Sequence, residues 1–514
     1  MWALRAAVRP LLPRSRACRG LPTPRAAPPQ PRHSRALAAF RPWGPGGPGS
    51  ERWGPRTEAP KSPAGEDEGD PEGAEEEEEE LLRRDPLLPS GTQRVCLVHP
   101  DVKWGAGKPQ LTRAEWQVAE AVALVRSLDG WSVVLTLVVP TKTPERKLIF
   151  GRGNLERLTE TIRGAADITC VFLNLERMAA PTKKELEAAW GIQVFDRFTI
   201  VLHIFRAHAR TREARLQVAL AELPLLRSGL KSDITQWDRQ RGGSRYILGS
   251  GESARQVQQR ELREKEAGIR KALERLRRKR QLLRQQRARR ELPVVSVVGY
   301  TNCGKTTLIQ ALTGDQAMQP QDRLFATLDV TVHAGWLPSR LPVLYVDTVG
   351  FLSQLPHGLL ESFTATLEDV AHSDLIVHVR DVSHPETELQ KASVLSALQG
   401  LHLPSSLLDS MLEVHNKVDL VPGYSPSGPS AVAVSALLGH GLEELKAGLE
   451  AAILRATGRH MVTLRVGLQG AQLSWLHREA TVQQVHVVPG AQAADVDVII
   501  SDSAHRRFRK LFPE

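Results

Sequence analysis

The chain has 514 residues, of which 41% are hydrophobic and 25% are charged, values typical of soluble globular proteins. Its longest apolar run, residues 133–139, is far too short to cross a bilayer, so we do not expect an integral membrane protein. Four cysteines without close spacing exclude a disulfide scaffold and a Cys-type zinc site, and they favour a reducing compartment.

The net charge of +10 is unevenly distributed along the chain. Residues 1–50 contain nine arginines and no acidic residue, whereas residues 51–90 contain five basic and fourteen acidic residues. Residues 255–290 contain fifteen basic and four acidic residues, which leaves the rest of the chain close to neutral. A polyanionic partner is therefore expected at residues 255–290.

The first fifty residues have the composition of a mitochondrial transit peptide. They are rich in arginine, lack Asp and Glu, and begin with apolar residues interspersed with basic ones. We predict import into the mitochondrial matrix; the alternative is a disordered Pro/Arg tail. Residues 51–90, which include an unbroken glutamate run at 75–80, are predicted to be an acidic disordered linker.

Residues 91–200 are predicted to form a small α/β domain. Apolar strand-like runs alternate there with helical stretches, a pattern that favours a parallel sheet. The predicted strands span residues 95–98, 131–139, 168–175 and 192–195, and the predicted helices span residues 112–126, 154–163 and 182–190.

Residues 201–290 are predicted to form a helical-hairpin arm with a Gly-rich tip. The second helix carries one narrow apolar stripe on an otherwise charged surface. The alternative is a coiled-coil spacer whose charges are simply solvated. The stripe consists of Leu262, Ile269, Leu273, Leu276 and Leu283, and the tip contains Gly242, Gly243, Gly249 and Gly251.

A phosphate-binding loop opens the next predicted domain, residues 292–458. An apolar run at 292–298 leads into a Gly-x-x-x-x-Gly-Lys-Thr sequence, and a helical pattern follows at 308–312. In this arrangement backbone N–H groups face a phosphate, Lys305 neutralises phosphate charge and the Thr306 hydroxyl reaches Mg²⁺. The predicted contact residues of the loop are Gly299, Tyr300, Thr301, Asn302, Cys303, Gly304, Lys305, Thr306 and Thr307.

Three further motifs follow in the order that a GTP-binding domain requires. Asp347 can hold the magnesium through water, and the Gly350 N–H can contact the γ-phosphate. The Asp419 carboxylate can accept hydrogen bonds from guanine N1 and N2, which adenine does not offer, so the predicted nucleotide is GTP rather than ATP. The residues of these motifs are Asp347, Thr348, Val349, Gly350, Asn416, Lys417, Val418, Asp419, Ser435, Ala436 and Leu437.

Thr327 lies between the phosphate loop and Asp347. A threonine there can join the magnesium shell only when the γ-phosphate is present, which would give an order–disorder switch. The alternative is a β-propensity residue within a strand. The predicted metal ligands are therefore Thr306 and Thr327. The predicted contact residues of this segment are Phe325, Ala326, Thr327, Leu328 and Asp329.

The group that positions the attacking water is not identified by any motif. Ras-like switches place a glutamine directly after the glycine of the second motif, whereas this chain has Phe351, which cannot hydrogen-bond water. We therefore predict slow intrinsic hydrolysis, with the missing group or ordering supplied by a partner. The candidate catalytic residues are Lys305, Thr327 and Gly350, and nearby His357 is interpreted as structural.

Several of these segments occur together in one family. They are the phosphate loop at 299–307, the segment at 324–329, the motif at 347–351, an Ala-His-Ala-Arg-Thr-Arg-Glu-Ala-Arg-Leu-Gln run at 207–217, and Asp196 with Arg197. Together they resemble the HflX family of translational GTPases, over roughly residues 147–458. With its transit-like leader, the chain resembles a mitochondrial member of that family.

The resemblance implies a partner and a role that composition does not. Family members bind the large ribosomal subunit and split ribosomes in a GTP-dependent way. Their hairpin projects toward the peptidyl transferase centre, and the ribosome stimulates their GTPase. Mitochondrial relatives are implicated in late assembly of the large subunit. The implied partners here are the large subunit of the mitochondrial ribosome and its rRNA.

The chain departs from the family pattern at a few positions. Gly249-Ser-Gly-Glu252-Ser253 replaces the usual Gly-Pro-Gly-Glu-Thr, and Val330 replaces a common proline. Cys303 stands where a small residue is usual, and Thr306 where a serine is usual. Because threonine keeps the hydroxyl, nucleotide binding is still expected.

The predicted fold class is α/β: a P-loop GTPase domain, preceded by the small α/β domain and the arm and followed by a small α+β domain at residues 460–514. The leading hypothesis is a mitochondrial GTPase acting in ribosome splitting, recycling and late large-subunit assembly. The alternative is a signalling switch that recruits a protein effector through a coiled-coil arm. We expect a monomer. The role of residues 460–514 is open.

Overall fold

The structure is a computed structural model that describes most of the chain after residue 90. The described residues are 79, 81–82, 91–102, 113–141, 149–240, 254–289, 292–316, 318, 320–321, 323–325, 327–352, 369–401, 403–426, 431–467, 470–488 and 493–513. The predicted transit peptide, almost all of the acidic linker, the Gly-rich tip, Ala326 and His357 lie outside them.

The N-terminal unit is a four-stranded parallel sheet in the order β2-β1-β3-β4, with helices between successive strands. The central β3 is buried along its whole length, as expected for a parallel sheet that is covered on both faces. The predicted α/β architecture is confirmed. Its elements are β1 (Gln93–Val102), α1 (Ala114–Arg126), β2 (Trp131–Thr141), α2 (Arg152–Gly164), β3 (Cys170–Leu173), α3 (Ala180–Trp190) and β4 (Gln193–Asp196).

A buried helix, α4 (Arg197–His208), follows β4 directly. The predicted arm began at residue 201, but nine successive residues of α4 are buried, and most of its apolar side chains belong to the core of the N-terminal unit. A helix that is apolar on all sides must be enclosed, so it could not serve as an exposed arm. The arm helix instead begins after a short break, at Arg212.

The arm consists of two long helices, α5 (Arg212–Gln240) and α6 (Ala254–Arg289). Arg227 pairs with Glu266, while Glu213, near the start of α5, pairs with Arg280 late in α6, so the two helices run antiparallel. The predicted stripe is confirmed over its described side chains. The buried contact consists of Leu216, Ala219, Leu223, Ile269 and Ala272, flanked by Leu262, Leu273 and Leu276.

The third unit is a six-stranded sheet in the order β10-β9-β8-β5-β7-β6. Its strands pair in parallel except for β6, which is antiparallel to β7 at the edge. The carboxyl ends of the parallel strands therefore meet along one edge. The elements are β5 (Val294–Gly299), α7 (Lys305–Thr313), β6 (Thr331–Trp336), β7 (Pro342–Asp347), β8 (Leu375–Asp381), α8 (Thr387–Gly400), α9 (Ser405–Asp409), β9 (Leu412–Asn416), β10 (Ala431–Ala433) and α10 (Leu442–Ala456).

The C-terminal unit is a three-stranded antiparallel sheet in the order β11-β13-β12, packed against two helices. The predicted sequence of strand, helix, strand, strand and helix is confirmed. No helix in the described part of the chain is both long and apolar enough to span a membrane. The elements are β11 (Arg459–Gly467), α11 (Ala471–Glu479), β12 (Thr481–Val487), β13 (Ala493–Ser501) and α12 (Asp502–Leu511).

Candidate nucleotide-binding site

The sheet topology brings the separated motifs to one edge. The loop that begins after Gly299 follows β5, Asp347 ends β7, Asn416 ends β9, and Ser435 follows β10. These strands are neighbours or near neighbours and run in parallel, so their carboxyl ends converge. Motifs that are more than 100 residues apart in the sequence therefore form one site, as expected for an open α/β sheet.

The phosphate loop is closed around the amine of Lys305. Its Nζ donates hydrogen bonds to the carbonyl oxygens of Gly299 (3.2 Å) and Tyr300 (3.0 Å), and the side chain is buried. Gly304 has a φ of 93°, and a Cβ there would lie 2.3 Å from Asn416 Nδ2. The loop thus requires glycine at this position, and it ends at the N-terminus of α7, where N–H groups favour an anion.

Three side chains meet where Mg²⁺ is predicted to bind. Thr306 Oγ1 lies 2.7 Å from Asp347 Oδ2 and 2.9 Å from Thr327 Oγ1, and Thr327 Oγ1 lies 3.2 Å from the same carboxylate oxygen. The other oxygen, Asp347 Oδ1, is buried without a hydrogen-bond partner among the described residues. Such a cluster of hard oxygen donors fits Mg²⁺.

Asp347 is fully buried, and the positive charge of Lys305 lies close to it. Burial raises the pKa of Asp347, while the Lys305 charge and the hydrogen bonds from Thr306 and Thr327 oppose that shift. A nearby divalent cation would favour the ionised carboxylate in the same way. A metal would therefore add to the positive charge that Lys305 already places near this carboxylate.

Gly350 lies against the phosphate loop, so that a Cβ at this position would be 2.8 Å from Thr301 Cγ2 and 3.1 Å from Lys305 Nζ. The next residue, Phe351, is buried; its N–H donates to the Gly299 carbonyl (3.1 Å), and its carbonyl accepts from Thr301 N–H (2.7 Å). The structure therefore brings the candidate catalytic residues Lys305, Thr327 and Gly350 together, and it holds Phe351 away from water.

The guanine-specifying motif is tied to the phosphate loop. Asn416 Nδ2 donates to the Cys303 carbonyl (2.9 Å), and its Oδ1 accepts from Ala436 N–H (3.0 Å). Lys417 Nζ donates to the Asn302 carbonyl (2.9 Å) and pairs with Asp381 (2.7 Å). These contacts position the base-recognition loop relative to the phosphate loop.

The remaining predicted contact residues surround these groups. Asp419 and Leu437 are exposed, as a base-contacting carboxylate and a loop residue can be before a ligand covers them. Cys303 is buried, and burial raises the pKa of its thiol, so it is not a reactive nucleophile. The other positions are half-buried or buried: Tyr300, Thr301, Thr307, Phe325, Leu328, Asp329, Thr348, Val349, Val418, Ser435 and Ala436.

A buried ion pair from the N-terminal unit supports the phosphate loop, and the sequence interpretation missed it. Arg197, which is 2% exposed, pairs with Glu120 of α1 and donates to Asn174. The same Glu120 carboxylate accepts a hydrogen bond from the Tyr300 hydroxyl. Arg197 belongs to a motif that the sequence singled out, but nothing near Glu120 in the sequence indicates this contact.

A buried charge cluster lies beneath the guanine-specifying loop. Burial alone would raise the pKa of Glu413, but hydrogen bonds from His415, Lys391 and Arg380 outweigh it and hold this pKa well below its usual range. Nearby, burial lowers the pKa of His378 to about 4, so this imidazole is neutral at physiological pH. The cluster stiffens β8 and β9 at the point where Asn416 begins the loop.

Three family models match successive parts of the chain. A GTP-binding GTPase N-terminal model matches residues 115–206, a GTP-binding GTPase Middle Region model matches residues 208–287, and a 50S ribosome-binding GTPase model matches residues 294–416. The first two coincide with the N-terminal unit and the arm, and the third covers most of the sheet that carries the nucleotide site.

Known proteins match the chain over most of its length. It is 72% identical over 517 residues to GTP-binding protein 6 from Homo sapiens, covering 100% of each chain. It is 36% identical over 384 residues to GTPase HflX from Magnetococcus marinus, covering 74% of this chain and 87% of that protein. A solved GTP-binding protein from Sulfolobus solfataricus in complex with GDP is 22% identical, with a TM-score of 0.38, and the match covers 70% of this chain and 99% of that one.

Proposed function

Because the chain belongs to the HflX family and is a GTPase, we propose that it binds the large subunit of the mitochondrial ribosome. There it uses GTP binding to split ribosomes and to act in late assembly of the large subunit. The observation that carries this proposal is the combination of a GTP site with a long cationic arm. The description of the matching model as a ribosome-binding GTPase supports it.

In the proposed cycle, each part of the nucleotide is held by residues of this chain. The amine of Lys305 and the N-terminus of α7 bind the β- and γ-phosphates, and Asp419 binds guanine. Thr306 and Thr327 would ligate Mg²⁺ directly, with Asp347 behind them. When bound, the cation neutralises charge on the phosphates.

Hydrolysis by this chain alone is proposed to be slow. Gly350 can offer its N–H to the γ-phosphate, but Phe351 is buried and has no hydrogen-bonding group for the attacking water. The described residues therefore bind and orient the phosphates without a side chain that is placed to activate water. We propose that the ribosome supplies the missing group or ordering.

The arginines of the arm fall into two groups. Arg280 pairs with Glu213 of α5, and both Arg280 and Arg284 pair with Asp369 of the nucleotide-binding unit. Arg278 and Lys279 are exposed, with only a long 3.8 Å contact from Arg278 to Glu274. The first group stabilises the fold, so the exposed group is the one that we propose contacts rRNA phosphates.

The rRNA contact is tested by reversing the two exposed charges. We expect Arg278→Glu with Lys279→Glu to weaken binding to mitochondrial large subunits at least tenfold. The slope of log affinity against log salt should also fall by about 2, since each phosphate contact contributes about 1. Sedimentation of the purified protein with large subunits, in the presence of a non-hydrolysable GTP analogue, measures both.

The matched control is Arg509→Glu with Lys510→Glu, the same change in charge on exposed residues of α12. This pair should bind as the unmodified protein does. Equal loss in both pairs would mean that only net charge matters. No loss in either would remove the arm from ribosome binding and favour a protein effector.

The organelle is proposed from the leader. The arginine-rich, acid-free composition of residues 1–50 supports mitochondrial import. Protease protection of the full chain and of a chain without these residues tests it. Retention in mitochondria without the leader would contradict the assignment.

Splitting and assembly predict different particles after depletion of the protein. Loss of splitting should raise the monosome fraction on a sucrose gradient. Loss of an assembly step should instead accumulate an immature large subunit. Profiles unchanged in both respects would contradict both roles.

A further inference from the structure

The nucleotide chemistry described above does not use the motif at residues 207–217. In the structure its central residues contact the segment that contains Thr327. Asp329 Oδ2 accepts hydrogen bonds from the backbone N–H groups of Arg210 (2.9 Å) and Thr211 (3.2 Å), and Oδ1 accepts from Thr211 Oγ1 (2.6 Å). One carboxylate thus binds three donors at the residues that immediately precede α5.

This position is the N-terminus of the first arm helix. The Thr211 hydroxyl caps α5 by accepting from Ala214 N–H (3.2 Å), and Asp329 binds the same hydroxyl. A carboxylate is stabilised at a helix N-terminus by the unpaired N–H groups and by the helix dipole. Asp329 therefore adds a second cap to the 29-residue helix α5, from a different part of the chain.

Only Leu328 separates this cap from the residue predicted to sense the γ-phosphate. Thr327 Oγ1 lies 2.9 Å from Thr306 Oγ1 at the magnesium site. Leu328 is 1% exposed and belongs to a core cluster that the N-terminal unit and the nucleotide-binding unit share, so the three residues form a short, packed link. A displacement of Thr327 would therefore act on Asp329 through a single intervening residue.

We propose that Asp329 is a positioning residue that couples the occupancy of the magnesium site to the arm. With Thr327 held at the metal, Asp329 caps α5. Release of Thr327 withdraws the cap and loosens the start of the arm. The proposal rests on the proposed role of Thr327, and the coupling is reciprocal, since a partner that fixes the arm would also favour the GTP-bound segment.

Hydrogen exchange of the capped amides tests the coupling without ribosomes. Peptides that contain Arg210 and Thr211 are compared in the full-length protein with Mg²⁺ and either a non-hydrolysable GTP analogue or GDP. We expect exchange to be roughly 5- to 30-fold slower with the analogue, the range that the loss of a helix cap spans. Asp329→Ala, measured with each nucleotide at saturating concentration, should remove this difference.

Two further variants separate coupling from general damage to the fold. Thr211→Val should reduce the nucleotide-dependent difference in exchange. Thr211→Ser, which keeps the hydroxyl, should show the full difference. The matched control is Asp129→Ala, because Asp129 is exposed and pairs with Arg323 just before the same segment, without a hydrogen bond or ion pair to the described residues of the arm. This control should keep the full difference.

Two results would overturn the proposal. One is equal exchange of these amides in both nucleotide states of the unmodified protein. The other is a full nucleotide-dependent difference in Asp329→Ala. Neither result depends on ribosome binding, so failure here is distinguishable from failure of the proposed function, which is measured by sedimentation.

Discussion

Two threonines and one aspartate form the proposed magnesium site, and their proposed roles differ. Thr306 is held by the helix that follows the phosphate loop, whereas Thr327 lies in a connecting segment between α7 and β6. Thr327 is therefore the member of the set that can leave without disturbing the rest. This difference supports the proposal that its hydroxyl senses GTP rather than forming a general part of the binding site.

Replacing Thr327 by alanine should change the affinity for GTP but not the affinity for GDP. We expect GDP affinity to change by less than about twofold, and affinity for a GTP analogue with Mg²⁺ to fall roughly tenfold or more, because a contact to a charged group is lost. Fluorescence titration with both nucleotides measures this. Thr327→Ser should bind as the unmodified protein does. Equal losses for GDP and GTP would contradict the assignment.

His378 makes stability depend on pH. Its pKa is lowered from 6.5 to about 4 in the folded protein by burial, so the unfolded state binds the proton more readily. The neutral imidazole therefore makes its full contribution to the free energy of unfolding above about pH 6.5. This contribution is lost as the pH falls toward 4, and the loss between pH 7 and pH 5 is about 2 kcal/mol.

The variant His378→Leu should show a smaller loss of melting temperature between pH 7 and pH 5 than the unmodified protein. His477→Leu, at an exposed position of α11, is the control and should keep the original pH dependence. Identical pH dependence in His378→Leu and the unmodified protein would show that this imidazole is not buried in its neutral form.

The residues of the nucleotide site could be predicted because each motif is local in sequence and follows a recognisable strand. The contacts that support this site from other units could not be predicted. Tyr300 and Glu120 are 180 residues apart, and Thr211 and Asp329 are 118 apart. No periodicity or composition relates such pairs, because only the packing of separate units brings them together.

At the level of elements, the loop before α10 is the most tightly constrained turn near the base-recognition site. Gly441 has a φ of 70°, and a Cβ there would lie 2.1 Å from the backbone carbonyl oxygen of Ala433 in β10. Gly439 has a φ of 79°, but the nearest atom to its Cβ would be 3.9 Å away. The two glycines share the left-handed conformation, but only Gly441 lacks room for a Cβ.

Gly439→Ala should therefore cost only about 1–2 kcal/mol for the left-handed conformation. Gly441→Ala should cost more and should also weaken guanine-nucleotide binding, because β10 leads directly to Ser435. Melting temperature and nucleotide titration compare the two. Equal destabilisation by both substitutions would mean that the contact with Ala433 is relieved by a small shift of the turn.

The arm shows which features the sequence pattern could predict and which it could not. A seven-residue repeat of apolar residues predicted the α6 stripe, and Ile269 packs against α5 as expected. The pattern did not distinguish arginines that face solvent from Arg280 and Arg284, which bind acidic residues of α5 and the nucleotide-binding unit. That distinction depends on tertiary contacts, because all these arginines lie on one charged helix.

At the scale of the whole molecule, the N-terminal unit and the arm both contact the segment at residues 324–329, which contains Thr327. Leu324 N–H donates to Ser127 Oγ (3.2 Å), the rings of Phe325 and Phe205 are 4.8 Å apart, and Asp329 caps α5. The segment that would respond to GTP thus contacts Thr306 and Asp347 of the nucleotide site on one side and the N-terminal unit and the arm on the other.

The most direct test of this account is the rate of GTP hydrolysis by the purified protein with and without mitochondrial large ribosomal subunits. We expect slow turnover by the protein alone, because Phe351 cannot position water, and an increase of at least about tenfold when large subunits are added. Unchanged turnover at saturating large subunits would contradict a ribosome-dependent GTPase and would favour a different effector of the arm.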